Sequence, residues 1–526
     1  DLLDVGEQLL LGRMAVFAGG WTLDAAEQVS MTVGPLTMSM LDGLHVLLDK
    51  HLVQRTTGSD GEPRFMMLET IREYALERLT ERGESAATQH AHAAYFRDLA
   101  ERAASLLHGP EQIAWLDRLD EEHANVHVAL AWLLDTGDLA GVLRLATSLS
   151  WFWYVRGQFG EGHAWLSRVL QEIAREPDLL ASQLPNHTGL VARARLATSD
   201  FVLKRGELGA ARDQFVVLLE DLRRLDDILG GDAEVRELMA RTIISLLQAE
   251  GMLANHPDQL LIDEVIALAH TINDPQIVAL HALNYGRGLL YGLGRPDLAR
   301  PWLQQAEPLF QHLGDIYRLA MLTADLGMLA MFAGDLADAQ RRFAEASAKA
   351  VALRDRFLEA EASNNLGEVA RLVDDDDAAE RHYQASLKLH HDLGTQVEAQ
   401  RLIHNLGYLA LRRGDRTLAR ARFAKSLTGF RAVGQVHGQV DAVAGLACVA
   451  ASAGNVEQAR RAACLWGAAD ADHGTLRTTR WPADQAERTR YEPLARALLG
   501  DAEYEAAYLA GAALSLDEAV AEAWHV

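Results

Sequence analysis

The chain has 526 residues and carries 74 Asp and Glu against 50 Lys and Arg, a formal net charge of -24. That length exceeds one compact core, so several domains or a quasi-one-dimensional array is expected, and the acidic balance repels a phosphate backbone, which argues against direct nucleic-acid binding. The two cysteines, Cys448 and Cys464, cannot staple a chain of this size and read as small core residues in a reducing cytoplasm, while the longest small and apolar run, Ala442 to Ala453, falls short of the ~20 residues of a membrane span, so no membrane partner is expected.

Starting at Asp1 in place of Met, the chain reads as part of something longer. Leu9 to Phe17 and Asp24 to Val29 have the spacing of short helices, with Thr22 placed to cap the second, and Leu41 to Leu48 predicts a third. His51 to Arg55 and Arg64 to Leu68 flank the turn Gly58 to Gly61, the pattern of a β-hairpin, and Glu69 to Leu79 returns to helical periodicity. Three helices and a two-stranded wing predict a winged-helix domain over residues 1–82. That segment holds seven Lys and Arg against thirteen Asp and Glu, too few cations to neutralise several phosphates, so an intramolecular docking role is expected of it.

Residues 83–135 read as a helical coupling region. Residues 136–273 hold degenerate hairpin marks: Gly157 with Gly162 and Trp165, then Gly206 with Ala211 and Phe215. Trp151 to Tyr154 together with Trp165 crowd aromatics into one hairpin, as core or, if open, as a pocket for an aromatic or apolar inducer. Gly230-Gly231 and His256-Pro257 predict a longer connection before a further helix pair ending at Asp274-Pro275.

From residue 274 to 473 the chain keeps a ruler of forty residues. Leu326-Gly327, Leu366-Gly367, Leu406-Gly407 and Leu446-Ala447 are followed thirteen residues later by Ala339, Ala379, Ala419 and Ala459. Phe343, Tyr383 and Phe423 come four past the first three alanines, with Ala346, Ser386 and Ser426 three further on. Fixed-period self-similarity marks a solenoid, whose units bury their apolar faces only against neighbours. Each unit is a helical hairpin that turns at Gly334-Asp335, Asp374 to Asp377, Gly414-Asp415 or Gly454-Asn455. Residues 474–526 leave the ruler and form a C-terminal helical cap, with a capping box at Ser515 to Glu518.

The order Leu-Gly, Ala, aromatic, small residue resembles the tetratricopeptide repeat, lengthened beyond its usual roughly 34 residues as in MalT- and LuxR-type regulators. The segments LGRMAVFAGGWTLDAAEQV (Leu11 to Val29), LLDKHLVQR (Leu47 to Arg55) and FMMLETIREYALERL (Phe65 to Leu79) resemble the winged-helix part of STAND-type signalling ATPases of the AfsR and LuxR kind. LDRLDEEHANVHVAL (Leu116 to Leu130), RGQFGEGHAWL (Arg156 to Leu166) and GAALSLDEAV (Gly511 to Val520) resemble the same group. The resemblance implies an all-α fold, a right-handed superhelix of tetratricopeptide-like hairpins behind a small winged-helix domain. It also implies a regulator held in an ADP-bound resting state and released when an inducer binds the repeats. ATP exchange and self-association would then activate an output domain. No G-x-x-x-x-G-K-[ST] occurs in this sequence, so ATP and ADP belong to an ATPase domain outside it and no cofactor is expected within it. A basic C-terminal helix-turn-helix of the LuxR sort is also missing.

In tetratricopeptide arrays the first helix of each pair faces the concave groove. Projected so, the groove presents His281, Asn284 and Tyr291; Met321, Met328 and Met331; Glu361, Asn364, Glu368 and Arg371; and Arg401, His404 and Tyr408. These are the expected contacts to a small-molecule or protein inducer. Asp325, Asn365 and Asn405 lie at the edge of that stripe and can hydrogen-bond a ligand or an adjacent helix. His390-His391, His90-x-His92 and Glu121-Glu122-His123 lack HExxH or Cys/His metal spacing and read as surface or capping positions. Asp374 to Asp377 reads as a solvated turn, and no Ser or Cys sits in a nucleophile elbow or triad context. The expected function is that of a sensor, without enzyme activity of its own. The alternative is a plain tetratricopeptide scaffold that holds a peptide or protein without any nucleotide switch.

Overall fold

The computed structural model describes residues 3–59, 61–253, 258–271, 275–292, 294–476 and 480–526. Asp60 of the expected wing turn, His256-Pro257 and Asp274 lie outside the described residues. Two compact units divide the chain: Asp1–Tyr154 with Glu161–Thr198, and Val155–Gly160 with Ser199–Val526. Among the described residues no helix is long and apolar enough to cross a membrane.

The first unit opens with α1 (Val5–Met14), β1 (Trp21–Thr22), α2 (Leu23–Val33), α3 (Met40–Asp49), β2 (Gln54–Thr57), β3 (Pro63–Met66) and α4 (Glu69–Glu81). Thr22 caps α2 as expected, its Oγ1 accepting the Ala25 N–H at 3.2 Å. The wing departs from the expected two strands. It is a three-stranded antiparallel sheet ordered β1-β3-β2, with Trp21 opposite Phe65 and Arg55 opposite the same Phe65 on the other side. A strand of two residues has no alternation for the sequence to show.

Behind this domain come α5 (Ser85–Leu106), α6 (Gln112–Glu121), α7 (His123–Asp135), α8 (Leu139–Val155), α9 (Phe159–Arg175) and α10 (Pro177–Gln183). The sharp Phe17-to-Trp21 turn is held by Asn125 of α7, which is fully buried. Its Oδ1 accepts the Ala18 N–H at 2.7 Å, and its amide nitrogen donates to the Gly20 carbonyl and the Glu122 carboxylate at 2.8 Å each. Glu122 also takes the Arg64 guanidinium of β3 at 2.6 Å. One α7 turn thus supplies the partners that a buried loop and a buried arginine require. Of the aromatic run, Phe152 and Trp153 are core, whereas Trp151 and Tyr154 are half-buried and stack with centroids 5.2 Å apart.

After α11 (Thr188–Lys204), which carries residues of both units, the second unit contains α12 (Leu208–Leu229), α13 (Ala233–Met252), α14 (Gln259–Thr271) and α15 (Pro275–Arg287), the last continued by a π-helical turn at Gly288–Gly292. The long connection expected at Gly230-Gly231 is absent. Gly230 ends α12 in the left-handed region at φ 68°, and Asp232 Oδ1 accepts the Glu234 and Val235 N–H groups at 2.9 and 3.1 Å, so α13 starts at once.

The ruler then appears as α16 (Pro296–Leu313), α17 (Ile316–Phe332), α18 (Leu336–Ala352), α19 (Arg356–Leu372), α20 (Asp376–Leu393), α21 (Gln396–Arg412), α22 (Arg416–Ala432), α23 (Val436–Ala451) and α24 (Val456–Leu476). Its physical basis is a glycine-to-ring contact. A Cβ on Gly327, Gly367 or Gly407 would stand 2.9, 2.6 or 2.9 Å from the ring of Phe343, Tyr383 or Phe423, so the two helices of each hairpin close only over glycine. In the fourth unit the ring position is Ala463 and the glycine position is Ala447, both fully buried, so a small pair replaces the glycine and its ring. Asp375, Asp415 and Asn455 cap the second helices by accepting the N–H three residues on, at 2.9 Å each. The turn at Asp374 is more than a solvated one: Asp374 and Asp376 both take the Arg412 guanidinium. The chain ends with α25 (Pro482–Leu499), α26 (Asp501–Ala512) and α27 (Leu516–Ala523), the last opened by the expected Ser515 to Glu518 capping box.

Candidate functional site

The first helices of the repeats carry the positions expected to line an open groove, and the structure gives most of them a partner instead. His281 is buried, its ring stacked on Tyr285 at 5.7 Å. Asn284 turns back to the Leu280 carbonyl at 2.8 Å. Tyr291 donates its hydroxyl to Asp325 at 2.6 Å. Met328 and Met331 belong to the buried cluster that includes Leu326, Phe343 and Val369, and Met321 is half-buried.

On α19 and α21 the expected residues converge. Arg401 reaches Glu361 at 2.6 Å, with His390 3.2 Å from the same oxygen. Burial would push the Glu361 carboxyl up, but Arg401 and His390 outweigh it and hold the group at about 2. Asn405 donates to Asn364 at 3.1 Å and to Glu368 at 2.6 Å, so this edge residue bonds the adjacent helix. Glu368 also accepts from Tyr383 at 3.1 Å and pairs with Arg371 at 2.9 Å. The Arg371 guanidinium lies over the Tyr408 ring, 4.7 Å from its centroid, and His404 packs edge-on to that ring at 5.0 Å.

What covers this network is the chain's own α25, and the expectation of an exposed face is corrected accordingly. Asp484 sits 2.6 Å from Arg371 and 3.5 Å from His404. Glu487, one turn on, lies 3.0 Å from the Arg412 guanidinium, and Arg490 reaches Asp374 at 2.6 Å. Trp481, just before the helix, packs on Phe332 and Tyr291 with centroids 5.9 and 6.2 Å apart. Arg371 is 1% exposed as a result. Burial raises the cost of ionising Asp484, yet Arg371 and His404 hold its carboxyl well below the usual range. Beside it remains a hollow about the size of one water molecule, lined by Tyr408, Cys448, Trp466 and Arg480.

The cover fits by charge better than by hydrogen bonds. Among the described residues, Nε and Nη1 of Arg371, both ring nitrogens of His404 and both carboxylate oxygens of Glu487 are buried without a hydrogen bond. Such atoms cost free energy where they are, and a ligand that reached them better would regain it. Sequence reading missed Trp481, Asp484 and Glu487 because they lie off the forty-residue ruler. The i, i+3 spacing of Asp484 and Glu487 on one face of α25, with Trp481 just before its first turn, was the available signal.

A family profile described as a winged helix-turn-helix domain matches residues 3–80. These residues are a winged helix-turn-helix domain. Over 356 residues the chain is 30% identical to proteins of Mycobacterium bovis and Mycobacterium tuberculosis, each named "Putative HTH-type transcriptional regulator". The match covers 67% of this chain and 38% of each relative, so the chain spans well under half the length of these curated relatives. A crystal structure of a Signal Transduction ATPase with Numerous Domains (STAND) protein with a tetratricopeptide repeat sensor, from Pyrococcus horikoshii, aligns with 96% of this chain and 66% of that one, at 13% identity and a TM-score of 0.44. The matched domain agrees with the winged-helix domain expected over residues 1–82, and the mycobacterial relatives' names with the regulator part of the resemblance drawn from the motifs.

Proposed function

We propose that this chain is the sensor and regulatory part of a STAND-type transcriptional regulator acting in the cytoplasm. The repeats of residues 274–473 bind an inducer or partner at the face of α19 and α21. The coupling helices of 83–135 and the winged-helix domain of 1–82 relay occupancy to an ATPase domain outside this chain, where ATP and ADP bind. Self-association of the parent protein follows activation.

One observation carries this reading: Arg371, His404 and Arg412 direct buried positive or polar groups at a single strip, and two carboxylates of the same chain, Asp484 and Glu487 of α25, occupy it. A site already filled by Trp481, Asp484 and Glu487 is built to take an acidic ligand with an aromatic at one end. Ligand binding then means exchange for α25, and the rearranged C-terminal cap of 474–526 is the local signal. The energy demanded is modest, because the ligand takes over the charge contacts that α25 gives up.

The test uses the full chain carrying Trp481→Ala and Asp484→Ala, with a fluorescent synthetic peptide of residues 480–499 as probe. Saturable binding to the variant, and at least about 10-fold weaker binding to the wild-type chain, is expected, since an occupied site taxes its ligand. Equal and unsaturable binding to both chains refutes an exchangeable groove.

A further inference from the structure

α7 begins at His123, and one turn on the same face carries His127. Glu161 stands in the first turn of α9. The three side chains meet: Glu161 Oε1 is 3.0 Å from His123 Nε2 and 2.7 Å from His127 Nε2, and the imidazoles lie edge to face with centroids 4.5 Å apart. One ligand atom from each residue falls within 4.8 Å of the other two.

A third donor aims at the same oxygen. Trp153, buried on α8, donates its Nε1–H to Glu161 Oε1 at 3.0 Å. His123 Nε2 lies 3.3 Å from Glu161 Oε2 as well, so two imidazoles and an indole gather round one carboxylate. Each imidazole can turn a lone pair toward this centre in place of a proton, and a cation then sits between them and the carboxylate. We propose that His123, His127 and Glu161 form a binding site for a divalent transition-metal ion of the zinc class.

The donor set chooses the metal. Two imidazoles and one carboxylate suit Zn2+, Co2+ or Ni2+ and are poor for the all-oxygen preference of Mg2+ and Ca2+. At ordinary zinc–ligand lengths, tetrahedral donor atoms stand about 3.3 Å apart. The present separations of 2.7 and 3.0 Å need only a few tenths of an ångström of opening, within reach of side chains that are 34%, 37% and 25% exposed. Trp153 then serves as the group that orients the carboxylate ligand. With three protein ligands, the fourth position is left to water or to a small exogenous ligand.

The placement gives the ion a consequence. The α7 turn that supplies His123 and His127 also supplies Glu122 and Asn125, which hold Arg64 and the Ala18 and Gly20 backbone of the winged-helix domain. An ion shared by α7 and α9 therefore braces the helix on which that domain is seated. The sequence hid the site: neither His-x-x-x-His alone nor Glu121-Glu122-His123 is a metal motif, and the third ligand lies 34 residues past His127.

Equilibrium dialysis of the full chain against Zn2+, and the visible absorption of bound Co2+, test this directly. Wild type should bind one equivalent at this site and show tetrahedral cobalt bands. His127→Gln and Glu161→Gln should each weaken zinc binding by at least about 10-fold, since even indirect support of a ligand is worth that much. His127→Cys, which supplies another good zinc ligand, should retain it. His45→Gln, at a histidine 75% exposed on α3, should change nothing. Zinc should also raise the melting temperature of wild type and of His127→Cys. Absence of stoichiometric binding by wild type overturns the proposal, and so does binding that persists with Gln at position 161 or 127. Should His127→Gln fail to fold, Glu161→Gln decides.

Discussion

Arg371 of α19 and Asp484 of α25 lie 113 residues apart in the chain and meet at 2.6 Å, both buried. Arg371 keeps a second carboxylate, Glu368, on its other side. Such a pair contributes little net stability, because desolvation offsets most of its attraction, but removing one partner is costly. It fixes which face of α25 meets the repeats, and it does so with charge that another acidic group can satisfy.

The first prediction reverses what an exposed groove implies. On a solvated helix face Arg371→Glu would change stability by ~0.5 kcal/mol or less. In the structure it places a carboxylate beside Glu368, Asp484 and Glu487, and urea unfolding should show a loss of about 3–5 kcal/mol. Arg401→Glu, at a half-buried position facing Glu361, should cost clearly less.

The glycine-to-ring contact makes a coupled prediction. Gly367→Ala forces a methyl against the Tyr383 ring and should destabilise by about 1–3 kcal/mol. Tyr383→Ala alone should cost about 3–5 kcal/mol. Made together they should cost less than the sum, by about 0.5–3 kcal/mol in a double-mutant cycle, as the natural Ala447 and Ala463 pair implies. Additivity would show that the ring does not dictate the glycine.

His92 supplies a pH dependence for the first unit. It is fully buried against Phe17 and Phe96, and burial lowers its pKa from 6.5 to about 4, with Asn125 opposing only in part. The unfolded chain therefore takes up this proton more readily than the folded one. The contribution is full above about pH 6.5 and is lost as pH falls through about 4, a change of about 3 kcal/mol. Unfolding followed at pH 7 and pH 5 should show that His92→Gln is less acid-sensitive than wild type. An unchanged slope would mean that His92 stays accessible to protons in the folded state.

Core deletions on the ruler give the fourth. Leu406→Ala, at 3% exposure, should cost about 2–5 kcal/mol by denaturant melt. Leu366 is only partly buried, so its truncation should fall at the lower end of that range.

Legibility followed the range of the interactions. The hairpin stack was readable because its contacts recur at fixed spacing, each glycine sixteen residues before its ring. The winged-helix elements were readable from local periodicity, save β1, whose two residues exist as a strand only through pairing with Phe65 and Arg64. Gly230-Gly231 misled because a glycine pair marks a long loop and a tight left-handed stop alike. The expected groove positions on α19 and α21 meet one another, Glu361 with Arg401 and Glu368 with Arg371. Their cover was invisible, because Trp481, Asp484 and Glu487 answer to residues on four separate helices, α15 to α21, with no repeat in register.

The central claim is that α25 is a displaceable cover and not a fixed part of the stack. Amide hydrogen exchange over Pro482–Leu499 in the full chain, compared between wild type and Trp481→Ala/Asp484→Ala, tests it most directly. Exchange in α25 should rise at least about 10-fold while α21 and α22 stay protected, the behaviour of a segment that opens by itself. Unchanged exchange in α25, or loss of protection in all three helices together, would contradict it.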